Sequence, residues 1–300
     1  ILNARIRKAY LQNKMKIVSL NDVGDLTYPY ESLNGKTDTL KAIVENKHDL
    51  SKLIKSSKKP LIIIGQSALS SKSGKYIFES IKSFLNQNKK ITPEWNSLNI
   101  VSENASSVGS FDLGIFNTID GSNKILQNLE DHNYEIVYLL GQDSLKFKKK
   151  NEFIIYQGSH GDKGAEIADI ILPGSSYTEQ DGYYTNLEGK LQKAYKASYP
   201  PGDAKEDWEI LNDLAETINH RKLFNDKDEL VSSMLNYIKL FKDNDITKKF
   251  AEVKNLYFIS EEIKINNTDY YYSNAIARAS KTMLKCRNEK LSSLSTGTEG

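Results

Sequence analysis

The stretch from Ala168 to Ala194, ADIILPGSSYTEQDGYYTNLEGKLQKA, concentrates polar side chains that could do chemistry. Glu179 and Glu188, together with Asp181, could act as paired acids, since paired carboxylates transfer protons as general acid and base. No histidine lies close to them in sequence, and nearby glycines are typical of a turn-rich loop. We therefore interpret both glutamates as residues that tie loop backbone together through charge-assisted hydrogen bonds, and the sequence predicts no catalytic residue.

Glycines at the ends of apolar runs form a second set of candidates. Gly65 ends LIIIG, Gly141 ends IVYLLG, and Asp143 follows two residues later. In an open parallel sheet, ligands bind beyond the carboxyl ends of the strands, and glycine lets backbone N–H groups approach a phosphate closely. An aspartate in that position can accept hydrogen bonds from a ribose or a purine. These residues indicate a nucleotide-like pocket, although each glycine is equally typical of a tight strand-to-helix turn.

The elements that would position these residues alternate between short strands and helices. Continuous apolar runs followed by helical patterns predict an α/β fold with a parallel sheet covered on both faces. The predicted strands span 61–64, 136–140, 153–156 and 170–172. After the first strand, a helical pattern with a single apolar face contains Tyr76, Ile77, Ile81, Phe84 and Leu85.

Two further helical patterns flank these strands. Residues 37–57 read as one helix. After Pro200 and Pro201, Asp203 with Glu206 resembles a capping box, and an apolar stripe follows at Trp208, Leu211, Leu214 and Ile218. Beyond about residue 224 the chain becomes more polar. We therefore predict a domain over 1–224 and a peripheral extension over 225–300.

Composition excludes several classes of function. The 300 residues carry a net charge of +2, which gives no basic field for nucleic-acid binding. The single cysteine, Cys286, cannot supply the four thiolates of an iron–sulfur cluster or a cysteine-rich zinc site. The histidines show no metal-ligand spacing, so no metal site is predicted. The longest apolar runs are far shorter than the ~20 residues that span a bilayer.

The stretch from Ala168 to Ala194 also resembles the signature of the molybdopterin oxidoreductase superfamily. Lys190 stands where that signature usually has arginine. The matching positions are Ala168-Asp169, Leu172-Pro173, Thr178-Glu179, Gly182, Asn186, Glu188-Gly189 and Gln192.

Other stretches are similar to one branch, the 75 kDa-type large iron–sulfur subunit of mitochondrial respiratory complex I. They are LNARIRKAYLQNKMKIVSL, DLTYPYESLNG, KKPLIIIGQSAL, FIIYQGSHGDKGAEIADIILPG, PPGDAKEDWEIL and DYYYSNAIARASKTMLKC. The resemblance implies a molybdopterin-oxidoreductase-like fold of parallel sheets with flanking helices, together with a mainly helical C-terminal extension. It also implies that the N-terminal part of the domain lies outside this chain.

In that branch, the resemblance implies, the fold has lost its molybdenum cofactor and acts as a scaffold. Iron–sulfur clusters are then expected in a companion N-terminal polypeptide, and the chain itself is expected to hold no cofactor. The expected partners are that cluster-bearing half and other peripheral-arm subunits. The expected location is the matrix side of the mitochondrial inner membrane, without a membrane span.

Two alternatives remain open. The chain could be a fragment of an active molybdopterin-dependent oxidoreductase, with Gly65, Gly141, Asp143 and Gln157 cradling the pterin dinucleotide, or a free-standing nucleotide-binding module. In the scaffold interpretation the same positions are only a relic pocket, together with Thr178, Glu179, Asn186 and Glu188.

Overall fold

The chain folds into two compact units. The computed structural model describes residues 1–115, 122–142, 147–161, 163–243, 255–265 and 269–296. Unit 1 takes in Ile1–Asn104 and Asp245–Asn267, and unit 2 takes in Ala105–Asn244 and Thr268–Gly300. The late part of the chain therefore contributes to both units. The division into a domain over 1–224 and an extension over 225–300 stays a prediction.

Unit 1 combines helices with short strand pairs. Its helices are α1 (Leu2–Asn13), α2 (Thr37–Val44), α3 (Asp49–Ser56), α4 (Gln66–Leu69) and α5 (Gly74–Gln87). Its strands are β1 (Val18–Ser19), β2 (Glu31–Ser32), β3 (Ile62–Gly65), β4 (Ile91–Thr92), β5 (Trp95–Asn96) and β6 (Leu98–Val101). β1 pairs with β2 and β3 with β6 in parallel, whereas β4 and β5 are antiparallel.

The core of unit 1 forms against helix α5. The residues predicted to share its apolar face are all buried, at 0–6% exposure: Tyr76, Ile77, Ile81, Phe84 and Leu85. Ile64 of β3 lies in the same apolar cluster, and Ile62 and Leu98 pack against it. The predicted strand at 61–64 is thus confirmed, shifted by one residue, and its inner positions face α5.

The segment predicted as one helix over 37–57 is two helices. α2 ends at Val44, and Asn46 adopts a positive φ of 64°, which a continuing helix does not permit. His48 then caps α3, because its Nδ1 accepts a hydrogen bond from the Leu50 N–H at 3.2 Å. Histidine is not among the residues that usually signal an N-cap, so residue types alone barely indicate the break.

An extended stretch of residues 257–265, which we call the late segment, completes unit 1. The Thr37 hydroxyl donates to the Ile259 carbonyl at 2.9 Å, and the Thr37 N–H donates to the Glu261 carbonyl at 3.0 Å. The Ile263 N–H donates to the Gly35 carbonyl at 2.9 Å. Ile263 is 4% exposed and belongs to the same apolar cluster as the face of α5. The late segment is therefore part of the core of unit 1.

The late segment also provides hydrogen-bond partners for Ser73, the residue that precedes α5. Glu261 Oε1 accepts a hydrogen bond from the Ser73 N–H at 2.9 Å, and the Ser73 hydroxyl donates to the Ile259 carbonyl at 3.0 Å. The Phe258 ring lies 4.8 Å from the Tyr76 ring, measured between centroids. These contacts fix the segment against the helix by both polar and aromatic groups.

Unit 2 contains a parallel sheet, an antiparallel hairpin and several helices. Its helices are α6 (Ser107–Asp112), α7 (Ser122–Glu130), α8 (Lys163–Ile167), α9 (Asp207–Asn219), α10 (Lys227–Asp243), α11 (Ala275–Ala279) and α12 (Lys281–Thr296). Its strands are β7 (Ile136–Leu140), β8 (Phe153–Gly158), β9 (Ile170–Pro173), β10 (Gly182–Thr185) and β11 (Leu191–Ala194). A 3₁₀ turn, Tyr270–Tyr272, precedes α11.

The parallel sheet of unit 2 has the order β7-β8-β9. The three strands predicted at 136–140, 153–156 and 170–172 are confirmed to within two residues. One face is covered: Leu139, Ile154 and Tyr156 are at most 5% exposed and pack against Ala165 and Ile167 of α8. Together with the helices that follow residue 224, this confirms the predicted α/β fold class. The prediction that both faces of the sheet are covered differs from the structure, because the described residues leave most of the second face exposed.

Helix α9 is confirmed where the sequence predicts it, but its start and buried face differ. The capping box joins Glu206 and Glu209, three residues after the predicted pair. Ile218, predicted to be inward, is 66% exposed, whereas Asn212 is buried. The Asn212 Oδ1 accepts hydrogen bonds from the Leu223 and Phe224 N–H groups. A polar residue therefore occupies an inner position that a search for apolar stripes overlooks.

Within the described ranges, every helix is too short or too polar to cross a bilayer.

Candidate functional site

The candidate site lies at the carboxyl edge of the sheet in unit 2, where β7, β8 and β9 end together. Leu140 pairs with Gln157, and Gln157 pairs with Leu172. The Gly141 N–H donates to the Gln157 carbonyl at 2.7 Å. Gly141 has a φ of +61°, and a Cβ there would meet no atom within 4 Å. Its backbone conformation, not close packing, makes glycine the favoured residue at this position.

Gln157 is the centre of a closed hydrogen-bond network. Its side chain is fully buried. Its Nε2 donates to the Asp207 carbonyl at 3.2 Å and to Asp207 Oδ1 at 2.8 Å, and its Oε1 accepts from the Tyr138 hydroxyl. Burial, and then the charge of Asp207, raise the pKa of Tyr138. The tyrosine therefore remains a hydrogen-bond donor, and each polar atom of the Gln157 amide has a partner within the protein.

Asp207 closes over the edge at the first turn of α9. A Cβ on Gly174 would lie 2.9 Å from Asp207 Oδ1, so a larger residue there would displace this carboxylate from its observed position. The second oxygen of Asp207 accepts a hydrogen bond from Gln180 Nε2 at 3.4 Å. Glycine at position 174 thus lets Asp207 lie close to the sheet.

The start of α9 is acidic. Glu206 forms the capping box with Glu209, and its carboxylate also accepts hydrogen bonds from the Trp208 indole at 3.1 Å and from Lys227. Helix N-termini commonly bind anions because their N–H groups are unpaired. Here Glu206, Asp207 and Glu209 already occupy that position, which disfavours an incoming phosphate.

Asp169, in the signature-like stretch, fixes the base of the sheet. Its Oδ2 accepts from the Ile154 N–H at 2.7 Å, and its Oδ1 accepts from the Lys149 ammonium at 2.5 Å. These bonds, with that to Ile154 the strongest, lower the pKa of Asp169. Asp169 therefore stays ionised and joins β8 to the start of β9.

The loop after β9 is tied by its own side chains. Glu179 Oε2 accepts a hydrogen bond from the Ser176 N–H at 2.9 Å, as the sequence interpretation expects. The Thr178 hydroxyl lies 2.8 Å from the Ser176 hydroxyl. The Thr178 carbonyl accepts from the Ala197 N–H at 2.8 Å. Both candidates act here as loop-fixing groups.

Asn186 and Glu188 lie in the turn between β10 and β11. Asn186 Oδ1 accepts from the Glu188 and Lys190 N–H groups at 3.0 and 2.9 Å. Gly189 completes the turn with a φ of +77°. Only the backbone of Glu188 takes part in these bonds, and its residue is exposed, so the loop-tying role expected of its carboxylate falls instead to Asn186. The hairpin itself was not predicted, because the glycines made the stretch look like a loop.

The described candidate positions are divided between the two units. Gly141 and Gln157 share the sheet edge, and Thr178, Glu179, Asn186 and Glu188 follow in the loop and hairpin of the same unit. Gly65 belongs to unit 1, where it ends β3 and caps α4. Asp143 lies outside the described residues.

Tyr138 and Asp207 were not predicted from the sequence. A signal for Tyr138 exists, because a tyrosine in an otherwise aliphatic strand needs a partner for its hydroxyl when it is buried. Asp207 gives no comparable signal, since acids in the first turn of a helix are common for electrostatic reasons alone.

Two surface cavities are lined by residues of unit 1. One, of about 500 Å³, is lined by Leu33, Asn34, Asp38, Thr39, Ala42 and His48. The other, of about 390 Å³, shares Leu33 and Asn34 and extends along Glu262 and Ile263 of the late segment. Their linings contain none of the eight candidate residues. In the part of the chain that the structure describes, no three histidine, cysteine, aspartate or glutamate side chains are grouped to hold a metal ion.

Similarity to curated proteins points to one family of respiratory subunits. The chain is 40% identical over 296 residues to the "NADH-ubiquinone oxidoreductase 75 kDa subunit" of Reclinomonas americana, covering 95% of this chain and 42% of that protein. It is 35% identical over 306 residues to an NADH-quinone oxidoreductase subunit of Rickettsia bellii, covering 99% and 44%. It is 31% identical over 305 residues to the "NADH-ubiquinone oxidoreductase 78 kDa subunit, mitochondrial" of Candida albicans, covering 95% and 40%. The chain thus spans less than half the length of these relatives.

A family model agrees with the signature-like stretch. The model described as "Molybdopterin oxidoreductase" matches residues 1–217. The match includes β3, the sheet of unit 2, the hairpin and most of α9. Since it covers well over half of the 300 residues, the chain belongs to the molybdopterin oxidoreductase family.

Proposed function

We propose that this chain is the cofactor-free, structural part of the large peripheral-arm subunit of NADH:ubiquinone oxidoreductase, respiratory complex I. It supports a companion, cluster-bearing part of the subunit that passes electrons from NADH toward ubiquinone. The companion carries the iron–sulfur clusters, and other peripheral-arm subunits are further partners. The assembly lies on the matrix side of the mitochondrial inner membrane.

The names of the relatives support the assignment to complex I. Two of them are named as NADH-ubiquinone oxidoreductase subunits and one as an NADH-quinone oxidoreductase subunit. The composition supports the division of labour, because one cysteine is too few to ligate a cluster. Electron carriers must then be held by other parts of the assembly.

The observation that carries the cofactor-free role is the buried Gln157 amide. A pterin dinucleotide at the carboxyl edge of the sheet would need unpaired donors for its pyrophosphate. Gln157 instead donates to Asp207 and accepts from Tyr138. Displacing this network would leave buried polar groups without partners, which costs roughly 1–3 kcal/mol for each group.

Charge at the same edge points the same way. Glu206, Asp207 and Glu209 place carboxylates around the N-terminus of α9. A pyrophosphate would be repelled by these groups, and the Asp207 carboxylate already lies beside Gly174. The residues present therefore do not fit the cofactor of the family at this edge.

The alternative, part of an active molybdopterin-dependent oxidoreductase, has one observation in its favour. Gly141, at the end of β7, has a φ of +61°, and a Cβ there would meet no atom within 4 Å. An active enzyme would nevertheless need the Gln157 network to open when the cofactor binds.

Metal analysis of the native assembly tests the proposal. The chain would be affinity-tagged, purified with its bound partners under mild conditions, and assayed for iron, molybdenum and tungsten by mass spectrometry. We expect several iron atoms per chain, a cysteine-rich partner, NADH-oxidising activity and no stoichiometric molybdenum or tungsten. Molybdenum or tungsten near one atom per chain, without respiratory partners, would favour the alternative.

A further inference from the structure

The second face of the β7–β8–β9 sheet is apolar, and the described residues leave most of it uncovered. Register places Ile136 beside Phe153 and Ile155 beside Ile170. Because side chains on a strand alternate between faces, Phe153 and Ile155 point to the same side. We call this side the open face. Gln157 lies on it at the carboxyl edge, and its other members are Ile136, Tyr138, Leu140, Phe153, Ile155, Ile170 and Leu172.

Exposure differs between the two faces along the central strand β8, whereas Ile171 of the edge strand β9, which lies on the α8 side, is 54% exposed. On the face packed against α8, Ile154 is 0% and Tyr156 is 2% exposed. On the open face, Ile136 is 64%, Phe153 is 44% and Ile170 is 44% exposed. The face is closed near the carboxyl edge, where Gln157 is buried under Asp207.

A parallel sheet with one bare apolar face is an incomplete structure. Such sheets occur almost only with both faces covered by helices. A contiguous apolar surface also marks an interaction site more often than a free surface. The open-face residues are all uncharged, so the surface complements an apolar partner and not an acidic or basic one.

The lengths of the relatives identify the occupant. The chain covers 42% of the Reclinomonas americana relative and 44% of the Rickettsia bellii relative. More than half of each relative therefore consists of sequence that has no counterpart here, while the described part of these 300 residues contains a sheet face without its covering layer.

Resting on the proposed function, we infer that the open face is the docking surface for the cluster-bearing companion part of the subunit. The occupant is an apolar helical layer from that companion, because helices are what cover the faces of parallel sheets. The contact resembles a domain core divided between two chains or two parts of one chain, and is a permanent interface.

Site-specific photo-crosslinking tests this inference in the intact assembly. A benzophenone amino acid would replace Phe153 in the tagged full chain. A matched version would carry it at Tyr199, an aromatic residue of the same unit that is 77% exposed and lies off the sheet. After irradiation and purification, the crosslinked peptides would be sequenced by mass spectrometry.

We expect position 153, and not position 199, to form adducts with a helical segment of the cysteine-rich companion. Adducts with residues 1–104, with a second copy of this chain, or with an unrelated subunit would overturn the inference. So would companion co-purification without any adduct at 153. Absence of every respiratory partner from the preparation would instead contradict the proposed function itself.

A charge-insertion variant gives an independent readout. Phe153→Arg should lower companion-derived iron in the purified assembly by roughly tenfold or more, since removing a central aromatic anchor has effects of this size. Tyr199→Arg is the control and should retain the companion. The isolated Phe153→Arg chain should keep its melting temperature, because the position is exposed there. Equal iron in both variants would contradict the docking surface.

Discussion

In unit 1 the apolar face of α5 is covered by a segment of the same chain, whereas in unit 2 the described residues leave one face of the parallel sheet bare. Ile263 arrives from the late segment and is 4% exposed in the first case. Ile136 is 64% exposed in the second. Both regions are built from short parallel strands and apolar residues, so they differ in where the covering layer comes from. Unit 1 obtains its covering layer from this chain, and under our inference unit 2 obtains one from its companion.

The polar side chains of the two regions differ in what they hold in place. In unit 1, Thr37, Ser73 and Glu261 hold the late segment in place by hydrogen bonds. In unit 2, Gln157 and Asp207 bond each other across the edge where a ligand would lie. Polar side chains in both regions therefore serve the architecture, and unit 2 leaves its apolar face for a partner.

The largest expected effect concerns the covered core of unit 1. Ile263→Ala should lower the free energy of unfolding of unit 1 by about 2–5 kcal/mol, the range for removing a large buried aliphatic side chain. The chain has two tryptophans. In a Trp208→Phe background, Trp95 fluorescence during urea unfolding reports on unit 1 alone. Ile265→Ala is the control, since Ile265 is 45% exposed and should change stability by less than about 0.5 kcal/mol. Equal effects of the two substitutions would show that the late segment is not part of the core.

A smaller effect is expected at the sealed edge of unit 2. Gln157→Leu removes the amide and leaves Tyr138 and Asp207 without their buried partner, which should cost roughly 1–3 kcal/mol. In a Trp95→Phe background, Trp208 fluorescence reports on this unit, because Trp208 follows Asp207 directly. Gln192→Leu changes an exposed glutamine of the signature-like stretch and should be nearly neutral. Unchanged stability in Gln157→Leu would mean that the edge is not held by this network.

The smallest effect is present at neutral pH, is lost in acid, and concerns the base of the same sheet. Glu152 is 3% exposed, and its carboxylate accepts from the Lys150 N–H at 2.7 Å and contacts His132 Nδ1 at 2.5 Å. The Lys150 bond first, and His132 after it, lower the pKa of Glu152. Its stabilising contribution is thus fully present above the unfolded pKa of ~4.3 and is lost as the pH falls through the lower folded pKa.

Glu152→Gln should therefore destabilise unit 2 at neutral pH, and its difference from the unaltered chain should vanish in strong acid. The measurement is the urea midpoint of Trp208 fluorescence as a function of pH. Glu188→Gln, at an exposed carboxylate, should run parallel to the unaltered chain throughout. A Glu152→Gln difference that grows on acidification would have the wrong sign for a lowered pKa.

Prediction from the sequence works best where one element buries one face. The strand at 136–140 and the inner residues of α5 follow directly from apolar runs and helical period, because local pattern decides them. It works least where distant residues meet. Thr37 and Ile259 are 222 residues apart, and the local sequence does not indicate which of the isoleucines of the late segment reaches the core.

For two candidate positions the sequence indicates the location but not the hydrogen bonds. Gly141 and Gln157 do lie at the sheet edge, as the ends of their strands indicate. Their state depends on Asp207, which reaches Gln157 from 50 residues away. Whether a polar edge is open to a ligand or closed on itself depends on such long-range contacts, and residue types alone do not encode them.

The late segment determines when unit 1 can complete its core during synthesis. Ribosomes add about 5–20 residues per second, and domains generally begin to fold as they emerge. Thr37 leaves the ribosome 222 residues before Ile259, its hydrogen-bond partner, a delay of roughly ten to forty seconds at that rate. Throughout this interval the apolar face of α5 is without Ile263. The core of nascent unit 1 therefore stays incomplete until the late segment has been made.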